Sequence, residues 1–132
     1  MKREIKFRAL KKHTKEWAIG NLVTHSNDTY IAYGSVNDKP LLVEVLDKTV
    51  GQYTGLKDRD GKEIYEDDIV RFISWINEYN PEEIVVVRPV KFENGCFSPH
   101  PTHEECEDGY YSWGLKDFEV IGNIHQNPEL IK

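Results

Sequence analysis

Four residues between positions 96 and 106 carry side chains that zinc accepts as ligands: Cys96, His100, His103 and Cys106. Their spacing, Cys-x3-His-x2-His-x2-Cys, places two thiols and two imidazoles within eleven residues. It matches neither a finger nor a ribbon pattern, and Pro99 and Pro101 stiffen the chain between the ligand types. Cys96, beside the Asn94-Gly95 turn, is also easily explained as a small apolar core residue. The expectation is therefore no bound metal, with these four residues as the ones a zinc assay on untagged protein would test. The acids of Glu66-Asp67-Asp68 and of Glu104, Glu105, Glu107 and Asp108 lack a histidine at useful spacing. They also lack the Asp-x-Asp-x-Asp-Gly pattern of a calcium loop, and read as solvated turns. No phosphate-cradling glycine loop, nucleophile elbow or catalytic cysteine signature occurs. The chain is expected to be neither an enzyme nor a cofactor binder.

Binding residues are easier to find. Residues 1–16 hold seven basic and two acidic side chains, so this segment carries +5 while the remainder carries −11 within a net charge of −6. Lys2, Lys6, Arg8, Lys11 and Lys12 would form one positive ridge if the first strand presents them outward, a surface suited to single-stranded nucleic acid. The acidic body opposes broad nucleic-acid binding, so a protein partner is the better expectation. Tyr30, Tyr33, Tyr79, Tyr110 and Tyr111 lie in or near turns, and tyrosine is common in interface cores. Exposed strand edges would also favour a homo-oligomer or strand addition.

The elements that would position these residues are mostly strands. At 132 residues the chain is one domain, or one domain with a smaller lobe. Its three Trp, seven Tyr and five Phe favour β structure. Apolar runs such as Ile84 to Val87 are too short to span a membrane, no signal peptide is visible, and two cysteines make no disulfide framework. A cytoplasmic protein is expected. Ile5, Phe7 and Ala9 alternate with Lys6 and Arg8, as a half-buried strand does. Further strands are predicted at Trp17 to Val23, Thr29 to Tyr33 and Leu41 to Leu46, the last with a short helix as the competing reading. Asp58-Arg59-Asp60-Gly61 has the chemistry of a tight turn with a left-handed Gly61, and Gly55 marks a bulge. Ile69 to Ile76 reads as a strand buried on both faces. Pro89 confines its strand to an edge or a bulge, Asn94-Gly95 is a hairpin turn, and Asn127-Pro128-Glu129 starts a single helical turn.

Several of these stretches, in order, resemble the YopX family of small proteins encoded by bacterial phages and prophages. They are Arg3 to Ala9, Gln52 to Asp58, Asp60 to Glu66, Asp68 to Val70, Glu119 to Ile124 and Asn127 to Leu130. Two positions depart from the family pattern: Asp67 stands where glycine is usual, and Leu10 where tryptophan is frequent. If position 67 needs a positive φ, aspartate is among the few residues tolerated there. The resemblance implies a mostly β fold with an SH3-like β-barrel at the C-terminal side, and it transfers no catalytic residue. The expectation from sequence is thus a smaller N-terminal β lobe (with some β/α character) over residues 1–49 and an SH3-like barrel over residues 50–132. The expected role is noncatalytic binding of a host or phage protein in the bacterial cytoplasm, with nucleic-acid binding through the N-terminal basic residues as the alternative.

Overall fold

The computed structural model describes residues 3–75, 83–99 and 118–131. These residues are mostly β: eleven strands and two single 3₁₀ turns, with no α-helix among them. The chain divides into two units, Met1–Gly55 and Leu56–Lys132.

The first unit is a meander. Strands β1 (Phe7–Leu10), β2 (Trp17–His25), β3 (Asp28–Val36) and β4 (Lys39–Glu44) pair in the order β4-β3-β2-β1, with β5 (Gly51–Lys57) on the far side of β1. Polar residues tolerant of positive φ make the turns: Ser26 joins β2 to β3, and Asn37 and Asp38 join β3 to β4. The segment that left helix and strand undecided resolves into β4 and a 3₁₀ turn at Asp47–Thr49. Thr49 fastens that turn, its Oγ1 donating to Leu46 C=O and accepting from Leu10 N–H. The core is small: Ala9, Ala18, Ile31 and Val45, with Phe7, Leu22, Val43 and Val50 packed against it.

The simple alternation predicted for the first strand fails at Arg8, which is 8% exposed. Its guanidinium lies 4.3 Å from the centre of the Trp17 ring, so both faces of β1 are covered. An aliphatic stem and a planar, weakly hydrated cation make arginine the basic residue best able to do this.

In the second unit the end of β5 turns through Asp58–Lys62 into β6 (Glu63–Tyr65), and Asp58 N–H donates to Lys62 C=O at 2.7 Å. Strands β7 (Asp68–Trp75), β8 (Glu83–Pro89) and β11 (Glu119–Asn123) form a sheet of order β11-β7-β8. Strands β9 (Lys91–Glu93) and β10 (Cys96–Ser98) form a separate ribbon. Their connection, Asn94 (φ 52) and Gly95 (φ 82), has the two left-handed residues of a type I′ turn. Ile64, Val70, Phe72, Val90 and Phe118 make the core, and the rings of Phe72 and Phe118 stack at 4.8 Å.

The sheets are open, and no closed barrel forms among the described residues, so the barrel expected over residues 50–132 is corrected to open sheets. β8 ends at Pro89, which has no N–H to donate, but Val90 keeps the register with the start of β7: its N–H donates to Asp68 C=O and its C=O accepts from Asp67 N–H before the chain enters the β9–β10 ribbon. The reading of β7 as buried on both faces holds for Ile69 and Val70 but not beyond, because Ile73 is 37% exposed.

Candidate functional site

The basic residues singled out near the N-terminus are not gathered into a bare ridge. Lys6 Nζ lies 3.1 Å from Glu4 and 4.9 Å from the centre of the Tyr53 ring, and Arg8 is buried on Trp17. Lys11 approaches Glu16 at 3.8 Å, whereas Lys12 donates to Glu44 at 3.0 Å. That hydrogen bond and the Glu44 charge raise Lys12 above its ordinary value. Lys2 lies outside the described residues. Each of the four placed cations has a carboxylate or an aromatic ring in reach.

Of the four thiol and imidazole residues, only Cys96 falls within the described residues, while His100, His103 and Cys106 lie outside them. Cys96 is exposed at the tip of the β9–β10 ribbon, its Sγ 3.4 Å from Glu93 C=O. A thiol so placed contributes little to folding. Cys96→Ser is therefore expected to change unfolding free energy by less than about 0.5 kcal/mol in urea titration.

The acids of the central stretch are committed to folding. Asp58 Oδ1 accepts from the N–H groups of Asp60 and Lys62, each at 2.9 Å, and Oδ2 accepts from Val120 N–H at 2.9 Å. Burial pushes its carboxyl up, but the donors at Val120, Lys62 and Asp60 and the Lys62 charge outweigh burial and hold it below its ordinary 3.8. Asp68, 2% exposed, accepts from Tyr65 N–H at 2.8 Å. Asp67 adopts φ 72, the left-handed conformation expected where the family usually has glycine. It makes use of its side chain there: Oδ1 lies 3.1 Å from Lys91 Nζ and Oδ2 3.2 Å from His125 Nε2.

The end of the chain closes in the same manner. Asn123 Oδ1 accepts from the N–H groups of His125 and Gln126, and Asn123 N–H donates to Asn127 Oδ1. These asparagines hold the turn between β11 and the 3₁₀ turn at Pro128–Ile131.

The second unit also carries an exposed apolar group on β7 and β8. Ile73 of β7 stands directly opposite Val85 of β8, and Val87 is opposite Arg71. The pleat puts all four on the face away from Val70 and Phe72. Ile73, Val85 and Val87 are 37%, 56% and 36% exposed. Glu119, opposite Arg71 on β11, closes one margin by bridging Arg59 at 2.8 Å and Arg71 at 3.2 Å. Sequence patterning gave no reading of this face, because the unbroken apolar run Ile84 to Val87 does not alternate and so does not separate its two sides.

Small open sheets, polar groups tied into turns and an exposed apolar face describe an all-β protein. The YopX protein family profile matches residues 6–132, and the chain belongs to the YopX family. Among solved structures it is similar to the crystal structure of protein EF1440 from Enterococcus faecalis, at a TM-score of 0.53 and 25% identity. That likeness covers 98% of this chain and 99% of the other. No curated protein matches the sequence.

Proposed function

We propose that this YopX-family protein is a noncatalytic, phage- or prophage-type module that binds a host or phage protein in the bacterial cytoplasm. The observation that carries the reading is the outward face of β7 and β8. Three aliphatic side chains stand together there, rimmed by the Arg59–Glu119–Arg71 ion cluster. Exposed apolar groups with a charged margin are the usual makeup of a protein-binding surface. The nucleic-acid alternative has less support, because Lys6, Arg8, Lys11 and Lys12 already face carboxylates or rings.

The test is the double substitution Ile73→Glu with Val85→Lys, which replaces an apolar cross-strand pair by an oppositely charged one. Both side chains are exposed, so unfolding free energy is expected to move by no more than about 1 kcal/mol. Capture from nuclease-treated bacterial lysate is expected to retain a stoichiometric protein on the unmodified chain and to lose it on the double variant. Equal retention by both would overturn this assignment of the surface. A mobility shift that collapses with rising salt would favour the nucleic-acid reading instead.

A further inference from the structure

The first unit contains a split in its sheet. β2 pairs with β1 from Trp17 to Gly20, but its ladder with β3 begins only at Asn21, opposite Ala32. Beyond Ala32, β3 continues with β4, from Gly34 opposite Leu41 to Val36 opposite Lys39. The ladder between the two strands therefore stops at Asn21, with the β3 main chain still close against Gly20, and they part beyond it at Ile19. A groove of about 260 Å³ lies there, lined by Lys11, Trp17, Ala18, Ile19, Tyr33 and Val43.

The direction of the main chain in the split follows from the hydrogen bonds around it. Lys11 N–H donates to Glu16 C=O, so Lys11 and, by alternation, Ala9 and Phe7 direct their polar groups toward β2. Their partners Ala18 and Gly20 face back toward β1. Trp17 and Ile19 consequently direct N–H and C=O the other way, into the split. Among the described residues, no residue of β3 is in register with Ile19.

The walls are suited to a side chain. A bulge between Ala32 and Gly34 takes Tyr33 out of the ladder, and its ring is 54% exposed. Ile19 is 46% exposed, and Trp17 is held from one side by the Arg8 guanidinium. Lys11 supplies a cation whose ion pair with Glu16 is a loose 3.8 Å, so a better placed carboxylate would compete for it. The charge balance agrees: residues 1–55 hold nine basic and six acidic side chains, whereas residues 56–132 hold eight and seventeen.

We propose that this split is a strand-addition site for an extended peptide segment of a partner protein. The segment pairs its main chain with Ile19, sets an aromatic or β-branched side chain against Trp17 and Tyr33, and directs an acidic side chain to Lys11. A main-chain donor and acceptor side by side match a peptide and not a nucleotide backbone, which decides between two ligands that would both favour an aromatic, cationic groove. The inference rests on the reading of the protein as a binding module, but it uses a different surface from the β7–β8 face.

A displayed library of random heptapeptides, panned on the whole protein, provides the probe. Enriched sequences are expected to pair an acid with an aromatic or β-branched residue. Their synthetic versions are expected to slow hydrogen exchange at the Ile19 amide. Tyr33→Ala combined with Lys11→Glu is expected to weaken binding at least tenfold by fluorescence anisotropy, while Ile73→Glu with Val85→Lys leaves it unchanged. No enrichment over bare support, unchanged Ile19 exchange, or displacement of the peptide by oligothymidylate would each overturn the site. Loss of peptide binding only in the β7–β8 variant would overturn it too, while sparing the reading of the protein as a binder. The exchange measurement uses the unmodified chain, so it decides even if the substituted protein fails to fold.

Discussion

Asp58→Ala is expected to be the most damaging single substitution in the second unit, lowering unfolding free energy by about 4 kcal/mol and the melting temperature by on the order of 10 °C. Asp58 is 7% exposed and its two oxygens accept from three main-chain N–H groups. Two of those bonds shape the turn into β6, while the third reaches Val120, 62 positions away in β11. Alanine leaves all three donors without their acceptor. An unsatisfied donor costs about 1–3 kcal/mol when buried, with water recovering part of that at the margin of the turn. Asp58→Asn keeps one carbonyl for Asp60 and Lys62 but sets an amide NH₂ or a misplaced oxygen against Val120 N–H, so roughly half the loss is expected. A loss below about 1 kcal/mol for the alanine variant in urea titration would show that the turn and β11 hold together without the carboxylate.

The same residue gives stability a pH signature. Its folded carboxyl titrates below the ordinary 3.8, so between the two values the unfolded chain binds more protons than the folded one. The contribution is therefore complete above the unfolded value and fades as pH falls through the folded one. The gap in urea midpoint between the unmodified protein and Asp58→Asn, which does not titrate, is expected to be constant from pH 5 to 7. It should narrow steadily below about pH 4. A gap that widens on acidification would reverse the sign of the inferred shift.

How far the fold was legible depends on how local each cause is. Asp58, Gly61 and the Asn94-Gly95 pair announced their turns because turn chemistry is written within four residues. Gly55, Gly61, Asn94 and Gly95 all take the positive φ that such residues supply. Asp67 could be singled out for the same reason, but its contacts with Lys91 and His125 depend on β9 and on the turn after β11. Arg8 followed a clean alternation and was misplaced by it, because Trp17 arrives only when β1 and β2 pair. Ile73 was misplaced for the converse reason: an unbroken apolar run looks the same in a strand covered on both faces and in one covered on one. The open sheets were not legible, because which strands pair after β8 is decided between residues far apart in sequence, such as Glu119 of β11 and Arg71 of β7. The groove between β2 and β3 was least legible of all, since it arises from the length over which two strands fail to pair. Its key residue, Gly20, carries no side chain to mark it.

Gly20→Ala is the second substitution expected to have a large effect, about 3 kcal/mol or more of lost stability. A methyl group at position 20 would lie 2.0 Å from Ala32 O, 2.9 Å from its carbonyl carbon and 3.1 Å from Tyr33 Cα. All three are main-chain atoms, so no rotamer change relieves the clash; β3 itself must move. Ala32 is the first β3 residue in register with β2, and the neighbouring Ile31 is fully buried in the core. A shift of β3 therefore disturbs both the ladder and the packing beneath it. Gly34 provides the contrast within the same strand. Nothing lies within 4 Å of a methyl group there and its φ is not positive, so Gly34→Ala is expected to be neutral or to stabilise by about 0.5 kcal/mol through the unfolded chain. Measured side by side in urea, the two alanines separate close approach of main chains from the general effect of removing a glycine. Equal, small effects would mean that β2 and β3 can part at Gly20 without cost. A large loss confined to Gly20→Ala would place the close approach of β3, and with it the bulge that carries Tyr33, among the features that hold the first unit together.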